Sequence, residues 1–340
     1  MVKLFDAVKQ NRHSSHSIHL QRTQRKNMSS KICFVSPKLD QFLYDNPDSV
    51  GGAERQQFLL AQELKARNFK VSYITDPPNE NSELIEDDFE VWPHCPTNSK
   101  DTLGKIKSIT DFISSLRKSS ADYYYIRGIP RLAILTTLAM SITSGDVIYC
   151  IAADSNVNKQ YLQSNYSRSV LFLYHCMLNS VQVISQTDNQ AKTLQEEFDV
   201  NSTVIPNGCK IISESKLSHS VNGPDVLWVG RIQRKQKRPD RVLDLAKKMS
   251  DVDFEIVGPL EGEESYCKDF LERTQWLKNV KYSGFINPSE MVEKYASSKI
   301  LLNTSDYEGF PNTFLEAWQC KVPVVSQHYS FDHQLSELDF

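Results

Sequence analysis

The chain has 340 residues, 40% hydrophobic and 24% charged, with a formal net charge of −3. That length and balance fit a globular enzyme of two domains, and the slight negative charge gives no reason to expect a nucleic-acid partner. The seven cysteines are scattered without a C-x-x-C pair, which argues for a reduced cytoplasmic protein without a disulfide framework or structural zinc.

Residues 1–30 are basic, rich in His, Ser and Gln, and lack a secretory apolar region. They read as a disordered extension, with Met28 a second candidate start. Met1, Leu4, Phe5 and Val8 also share one face of a short helix beside Lys3 and Lys9, a pattern suited to an anionic membrane surface. A buried strand is expected at 31–36, then a loop to Gly51 and Gly52 and a helix to about Arg67. Strands follow at 71–75, 123–126, 147–151 and 181–184, with helical patterns between them. The apolar stretch 132–142 falls short of the roughly 18 residues that mark a membrane span and reads as a core helix. Residues 209–225 are polar and aperiodic. Strands resume at 226–229, 254–257, 280–283, 300–302 and 322–325, punctuated by Gly230, Gly258, Pro259 and Gly284.

Short apolar runs alternating with helices predict parallel sheets covered on both faces. The expected architecture is α/β, with two doubly wound, Rossmann-like domains at 31–210 and 225–340, a hinge at 211–224 and a central cleft. Ligands in such sheets bind outside the carboxyl ends of the strands.

The segment SDYEGFPNTFLEA at 305–317 has Glu308 and Glu316 separated by seven residues. Gly309, Pro311 and Asn312 mark a tight turn, and 313–320 reads as a helix. Free backbone N–H groups at such a start attract anions. One glutamate lies beside that pocket and the other one turn into the helix, which suits a phosphorylated, hydroxyl-rich ligand such as a nucleotide sugar.

The segment resembles the donor-binding motif of the retaining glycosyltransferases of family 4, which have the GT-B fold. Three further segments resemble that family in its order: GGAERQ at 51–56, VIPNG at 204–208, and WVGR at 228–231 followed by KRPD at 237–240. The resemblance covers roughly residues 31–326. It implies transfer of a sugar from a nucleotide-diphosphate donor, UDP- or GDP-linked, to a glycan or lipid-linked acceptor with retention of configuration. No metal or other cofactor is implied; the cysteine usage and the N-terminal pattern together place the protein in the cytoplasm or at the membrane's cytoplasmic face.

The resemblance also assigns roles. Arg231 and Lys237 neutralise the diphosphate, the one as a planar fork and the other as a compact charge. The family's lysine falls five residues after the arginine, where this chain has Gln236. Lys235 and Lys237 flank it, and Lys237 keeps the following context, so the loop is expected to hold one extra residue. Glu308 holds the donor sugar and Glu316 the ribose. The backbone of Gly309, Phe310 and Asn312 contacts sugar and phosphate, Gly51 and Gly52 approach the diphosphate, and Phe285 lies on the base-binding loop. In place of the family's histidine the chain has Asp154, which contacts a sugar hydroxyl or stabilises positive charge; the alternative is a loop cap. Arg127 stands at a strand end and is a candidate contact to donor or acceptor. His175 reads as structural. Asp251 and Asp253 form a D-x-D pattern at the wrong end of a strand for a metal site, and no His/Cys cluster has metal-ligand spacing.

The resemblance expects another glycine-bearing loop and further helices after the strand at 322–325, and residues 327–340 lack that loop. A C-terminally shortened chain is therefore expected. The alternatives to a transferase are a non-catalytic GT-B binding module and a nucleotide-sugar epimerase on the same fold.

Overall fold

The computed structural model describes residues 30–44, 51–76, 90–93, 102–212, 223–287 and 290–327. All but the last residue of the expected extension at 1–30, most of the expected hinge at 211–224, and residues 45–50 and 328–340 lie outside the described residues. The chain divides into two compact units, 1–207 and 208–340.

The first unit is a seven-stranded parallel sheet: β1 (Lys31–Val35), β2 (Lys70–Thr75), β3 (Glu90–Pro93), β4 (Tyr123–Arg127), β5 (Asp146–Cys150), β6 (Gln182–Ser185) and β7 (Thr203–Val204). Their order is β3-β2-β1-β4-β5-β6-β7. Both faces are buried, as parallel sheets require. Cys33, Val35, Tyr124 and Ile126 pack with Leu132 and Ala133 on one side. Phe34, Tyr73, Tyr125 and Cys150 pack with Ala61 and Leu64 of the helix Gly52–Ala66 on the other.

The second unit repeats the plan with five parallel strands: β8 (Val226–Val229), β9 (Phe254–Val257), β10 (Val280–Tyr282), β11 (Ile300–Asn303) and β12 (Val324–Ser326), ordered β10-β9-β8-β11-β12. The amphipathic helix Pro239–Lys248 buries Val242, Leu243 and Ala246 against Trp228 and Ile256. The helix Asn312–Gln319 buries Phe314 and Ala317 against Leu227 and Leu301. In each sheet the chain reverses its winding direction beside the first strand, between β1 and β4 and between β8 and β11. Those two points leave crevices at the strands' carboxyl ends.

Ten of these strands fall where the apolar runs place them, within a residue or two. The other two, β3 and β7, are edge strands with little apolar content. Edge positions tolerate Pro93, since no neighbour needs its missing N–H. At the carboxyl end of β9, Gly258 has a φ of +147°, and a Cβ there would stand 1.8 Å from the Gly230 carbonyl oxygen. Only glycine lets the loops after β8 and β9 approach that closely.

Glu255 interrupts the apolar run of β9. Its carboxylate is 5% exposed and accepts from Lys294 at 2.7 Å and from Ser283 at 2.6 Å. Burial alone would raise its pKa, but these bonds and the Lys294 and Lys281 charges outweigh that and lower it. Its stabilisation is therefore present above the ordinary glutamate pKa and lost as pH falls through the lowered one. Glu255→Gln is expected to cost about 1.5–3 kcal/mol in urea unfolding at pH 7, with a smaller cost at pH 3; no loss at pH 7 would contradict this.

Asp76 behaves oppositely. Burial, then the neighbouring Asp40, pushes its carboxyl up to about 6, and its Oδ1 has no partner among the described residues. The folded state therefore binds a proton that the unfolded state has released, and stability declines as pH rises from about 4 to 6. Asp76→Asn is expected to raise Tm at pH 7.5 and to change it little at pH 4. An unchanged or lower Tm at pH 7.5 would count against it.

Candidate functional site

The site in the second unit is built where its sheet reverses. The loop after β8 carries Arg231 and Lys237, and the loop after β11 carries Glu308. The structure brings Lys237 and Glu308 together, Nζ to Oε1, at 2.5 Å. The pair is mostly enclosed, with side chains 18% and 9% exposed. An ion pair so enclosed is screened far less than a surface one.

The two loops are tied by a hydrogen-bonded network. Thr304 Oγ1 accepts from the indole of buried Trp228 at 2.9 Å. The same hydroxyl donates to the carbonyls of Lys237 and Arg238 at 2.9 and 3.0 Å. Arg241 donates to the Thr304 carbonyl and pairs with Asp306 at 2.6 Å. The Asp306 N–H donates to the Gln236 carbonyl at 2.9 Å. Gln236 itself donates through Nε2 to the Tyr307 carbonyl at 3.2 Å. The residue at the expected lysine spacing is thus spent on loop structure, and the lysine one position later faces Glu308.

Arg238 caps the helix Pro239–Lys248 in the left-handed region, at φ +51° and ψ +53°. That conformation costs a non-glycine residue roughly 1–2 kcal/mol. It is offset by a bidentate pair with Asp240, Nη2 to Oδ2 at 2.8 Å, and a second contact to Asp306 at 3.3 Å. Those partners raise the Arg238 pKa, the Asp240 hydrogen bond being the largest cause. Pro239 then opens the helix with its φ already set. The effect is to aim the preceding residue, Lys237, back across the crevice.

Arg231 extends elsewhere, to Glu261 at 3.4 Å, and is 40% exposed. Its backbone lies beside the Gly230–Gly258 contact, and the Lys237 stem passes 3.5 Å from where a Gly230 Cβ would be. Arg231 and Lys237 therefore leave neighbouring points of one loop.

Gly309, Phe310 and Pro311 are buried behind Glu308. Pro311 is the N-cap of the helix Asn312–Gln319 and supplies no side-chain cap. Glu316, one turn in, accepts from the Tyr295 hydroxyl at 2.7 Å. This bond orients the Glu316 carboxylate. Phe285 lies half-buried on the loop after β10, next to Gly284, whose carbonyl accepts from the Gly258 N–H at 2.8 Å.

In the first unit, Gly51 is the N-cap of the helix Gly52–Ala66. The Glu54 carboxylate folds back to where a Gly51 Cβ would stand, 2.0 Å from it. Asp154 begins a short turn after β5 and accepts from Gln190 Nε2 at 3.0 Å. His175 Nε2 lies 3.2 Å from the Phe198 carbonyl. Asp253 sits at a turn before β9, its N–H donating to Asp225 at 2.9 Å. Among the described residues, no helix is long and apolar enough to cross a membrane.

The site's supporting residues carry no local signal. Thr304, Trp228, Arg241 and Asp306 lie within about 80 positions of one another, yet nothing in their immediate neighbours marks the pairing. The one readable cue is polar residues directly after an apolar strand.

The fold is that of the GT-B glycosyltransferases, and residues 211–334 match the family described as Glycosyl transferases group 1. The amylovoran biosynthesis glycosyltransferase AmsD of Erwinia amylovora is 22% identical over 302 residues, covering 84% of this chain and 79% of that protein. Sucrose-phosphate synthase from Thermosynechococcus elongatus superposes with a TM-score of 0.69 at 16% identity, over 87% of this chain and 81% of its own. Anabaena HepE, in complex with UDP-glucose, gives a TM-score of 0.64 at 19% identity, over 87% and 80%.

Thr304→Val should leave the buried Trp228 N–H unpaired and release both loop carbonyls, a cost of about 1–3 kcal/mol in urea unfolding. Thr304→Ser should be nearly neutral. Equal stability of the valine variant and the wild type would show that the hydroxyl does not join the loops.

Proposed function

We propose that this chain is a glycosyltransferase that moves a sugar from a nucleotide-diphosphate donor to a glycan or lipid-linked acceptor, with retention of configuration. The observation that carries the reading is the enclosed Lys237–Glu308 pair at the β8–β11 reversal. A cation and a carboxylate held together there suit a ligand with a phosphate at one end and hydroxyls at the other. The HepE neighbour's complex with UDP-glucose supports the same ligand class.

In this reading the donor diphosphate approaches Lys237 and Arg231. Lys237 exchanges its contact with Glu308 for phosphate oxygens and neutralises charge as the bond to the sugar breaks. Glu308, released, accepts from sugar hydroxyls, and Glu316, fixed by Tyr295, accepts from the ribose. The helix start at Asn312, with Gly309 and Phe310, adds backbone dipoles. Gly51, Gly52 and Asp154 are proposed as further contacts, the glycines to the diphosphate and the aspartate to the sugar. Two basic side chains supply the positive charge at the diphosphate, so the reaction is proposed to need no metal. The enzyme is proposed to act in the cytoplasm or peripherally at the membrane's cytoplasmic face.

Removing one preorganised donor to a developing charge lowers kcat by about 10²–10³. Lys237→Ala is expected to lose at least that much donor turnover, measured across UDP- and GDP-sugars, while keeping the wild-type circular dichroism. Wild-type turnover should persist in EDTA, and the product anomer, read by NMR, should match the donor. Turnover in Lys237→Ala within twofold of wild type would refute the assignment. Release of an isomerised sugar without acceptor would favour the epimerase.

A further inference from the structure

The first unit has its own reversal point, between β1 and β4, and a second polar cluster stands there. Arg127 closes β4 and is 7% exposed. Its Nη1 reaches only neutral partners, the Tyr125 hydroxyl at 3.4 Å and Cys150 Sγ at 3.3 Å. Its Nη2 donates to Asn207 Oδ1 at 2.5 Å. Its Nε has no partner among the described residues, and the Glu54 carboxylate acts on the guanidinium through space, not as a contact ion pair. A buried charge without a counter-ion in contact is costly and is normally paired.

The surroundings share the deficit. Ser36 directly follows β1, whose last residue Val35 pairs in register with Ile126, so Ser36 and Arg127 end adjacent strands. Ser36 is fully buried, and its hydroxyl has no partner among the described residues. The helix Gly52–Ala66 packs on this face through Ala61 and Leu64. Gln57, four and seven residues before them, shares that helix face nearer the strands' carboxyl ends. Gln57 is fully buried, and neither its amide nitrogen nor its oxygen has a partner among the described residues. Behind β4, Gly128 has φ +69° and stands against Ala152, since a Cβ there would meet the Ala152 Cβ at 2.3 Å. The loop after Arg127 is thereby pinned, and the guanidinium is held at the crevice.

We propose that Arg127 is the anchor of an anion site within the first unit, whose guanidinium takes a phosphoryl group in exchange for its present neutral partners, with the unpartnered Ser36 and Gln57 as further polar groups at the same end of the sheet. The planar fork suits two oxygens of a phosphoryl group. Crevices at such reversal points are where α/β sheets take ligands. The site goes beyond the sugar transfer proposed above and does not depend on Lys237 or Glu308. The phosphoryl group belongs either to the donor diphosphate or to a phosphorylated acceptor.

The test is calorimetric titration of the full chain with inorganic phosphate, UDP and glycerol 3-phosphate. It compares wild type, Arg127→Gln, Lys237→Ala and the double variant. The expected result is at least a fivefold loss of phosphate affinity in Arg127→Gln, repeated in the Lys237→Ala background. Removing a buried charge that has no counter-ion in contact should also leave the free protein's Tm unchanged or higher. A loss for UDP assigns the group to the donor; a loss for glycerol 3-phosphate alone assigns it to the acceptor. Unchanged affinity for all three probes overturns the proposal. So does a fall in Tm with affinity retained, which marks a structural arginine. Arg127-dependent phosphate binding without turnover of any nucleotide sugar would sink the transferase reading and leave this one standing. Turnover with Arg127-independent binding would do the reverse.

Discussion

One hydroxyl joins the two halves of the second unit's candidate site. Thr304 receives the Trp228 indole N–H and gives its own proton to the carbonyls of Lys237 and Arg238. The loop after β8 would otherwise be a run of exposed cations whose repulsion favours spreading. Trp228 is buried in the strand, so the anchor is as rigid as the sheet. Arg238 and Arg241 are consumed on either side of Asp306, and Lys237 is left to face Glu308. The position of one lysine thus depends on a buried network more than on its own contact, and such networks rigidify when every member is satisfied.

The two units spend charge differently. In the second, acidic and basic side chains alternate around the crevice, and its buried Glu255 is matched by Lys294. In the first, the carboxyl end of the sheet has a buried arginine whose hydrogen-bond partners are all neutral and an aspartate whose pKa is raised to about 6 by burial and Asp40. Uncompensated polar groups cost stability, and natural proteins accept that cost chiefly where function needs it. The asymmetry fits a second unit organised before its ligand arrives and a first unit organised by it.

Much of the architecture could be read before any coordinates. Parallel strands buried on both faces must be short apolar runs, and runs such as VLWV at 226–229 and ILLN at 300–303 show it. β3 and β7 escaped because an edge strand needs little apolar surface. The choice of Lys237 over Lys235 rested on the residues that follow it, and the loop shows why the neighbour differs: Gln236 bonds to the Tyr307 carbonyl. Thr304 and Asp306 were not legible as a clamp, because their partners lie 60 to 80 positions away and no local pattern encodes such a pairing. Glu255 looked like a flaw in an apolar run, since its cation comes from a different element. Arg127 was visible as a strand-end cation, but that its contacts are neutral appears only when the neighbouring strands are in place.

The central claim is that Lys237 and Glu308 act as one unit toward a nucleotide diphosphate. A double-mutant cycle tests it directly: UDP and GDP affinities are measured by calorimetry for wild type, Lys237→Ala, Glu308→Gln and the pair. Residues that share a site show interaction energies of about 0.5–3 kcal/mol, so the account predicts strongly non-additive losses for at least one nucleotide. Equal affinities in all four proteins, or losses that simply add, would contradict it.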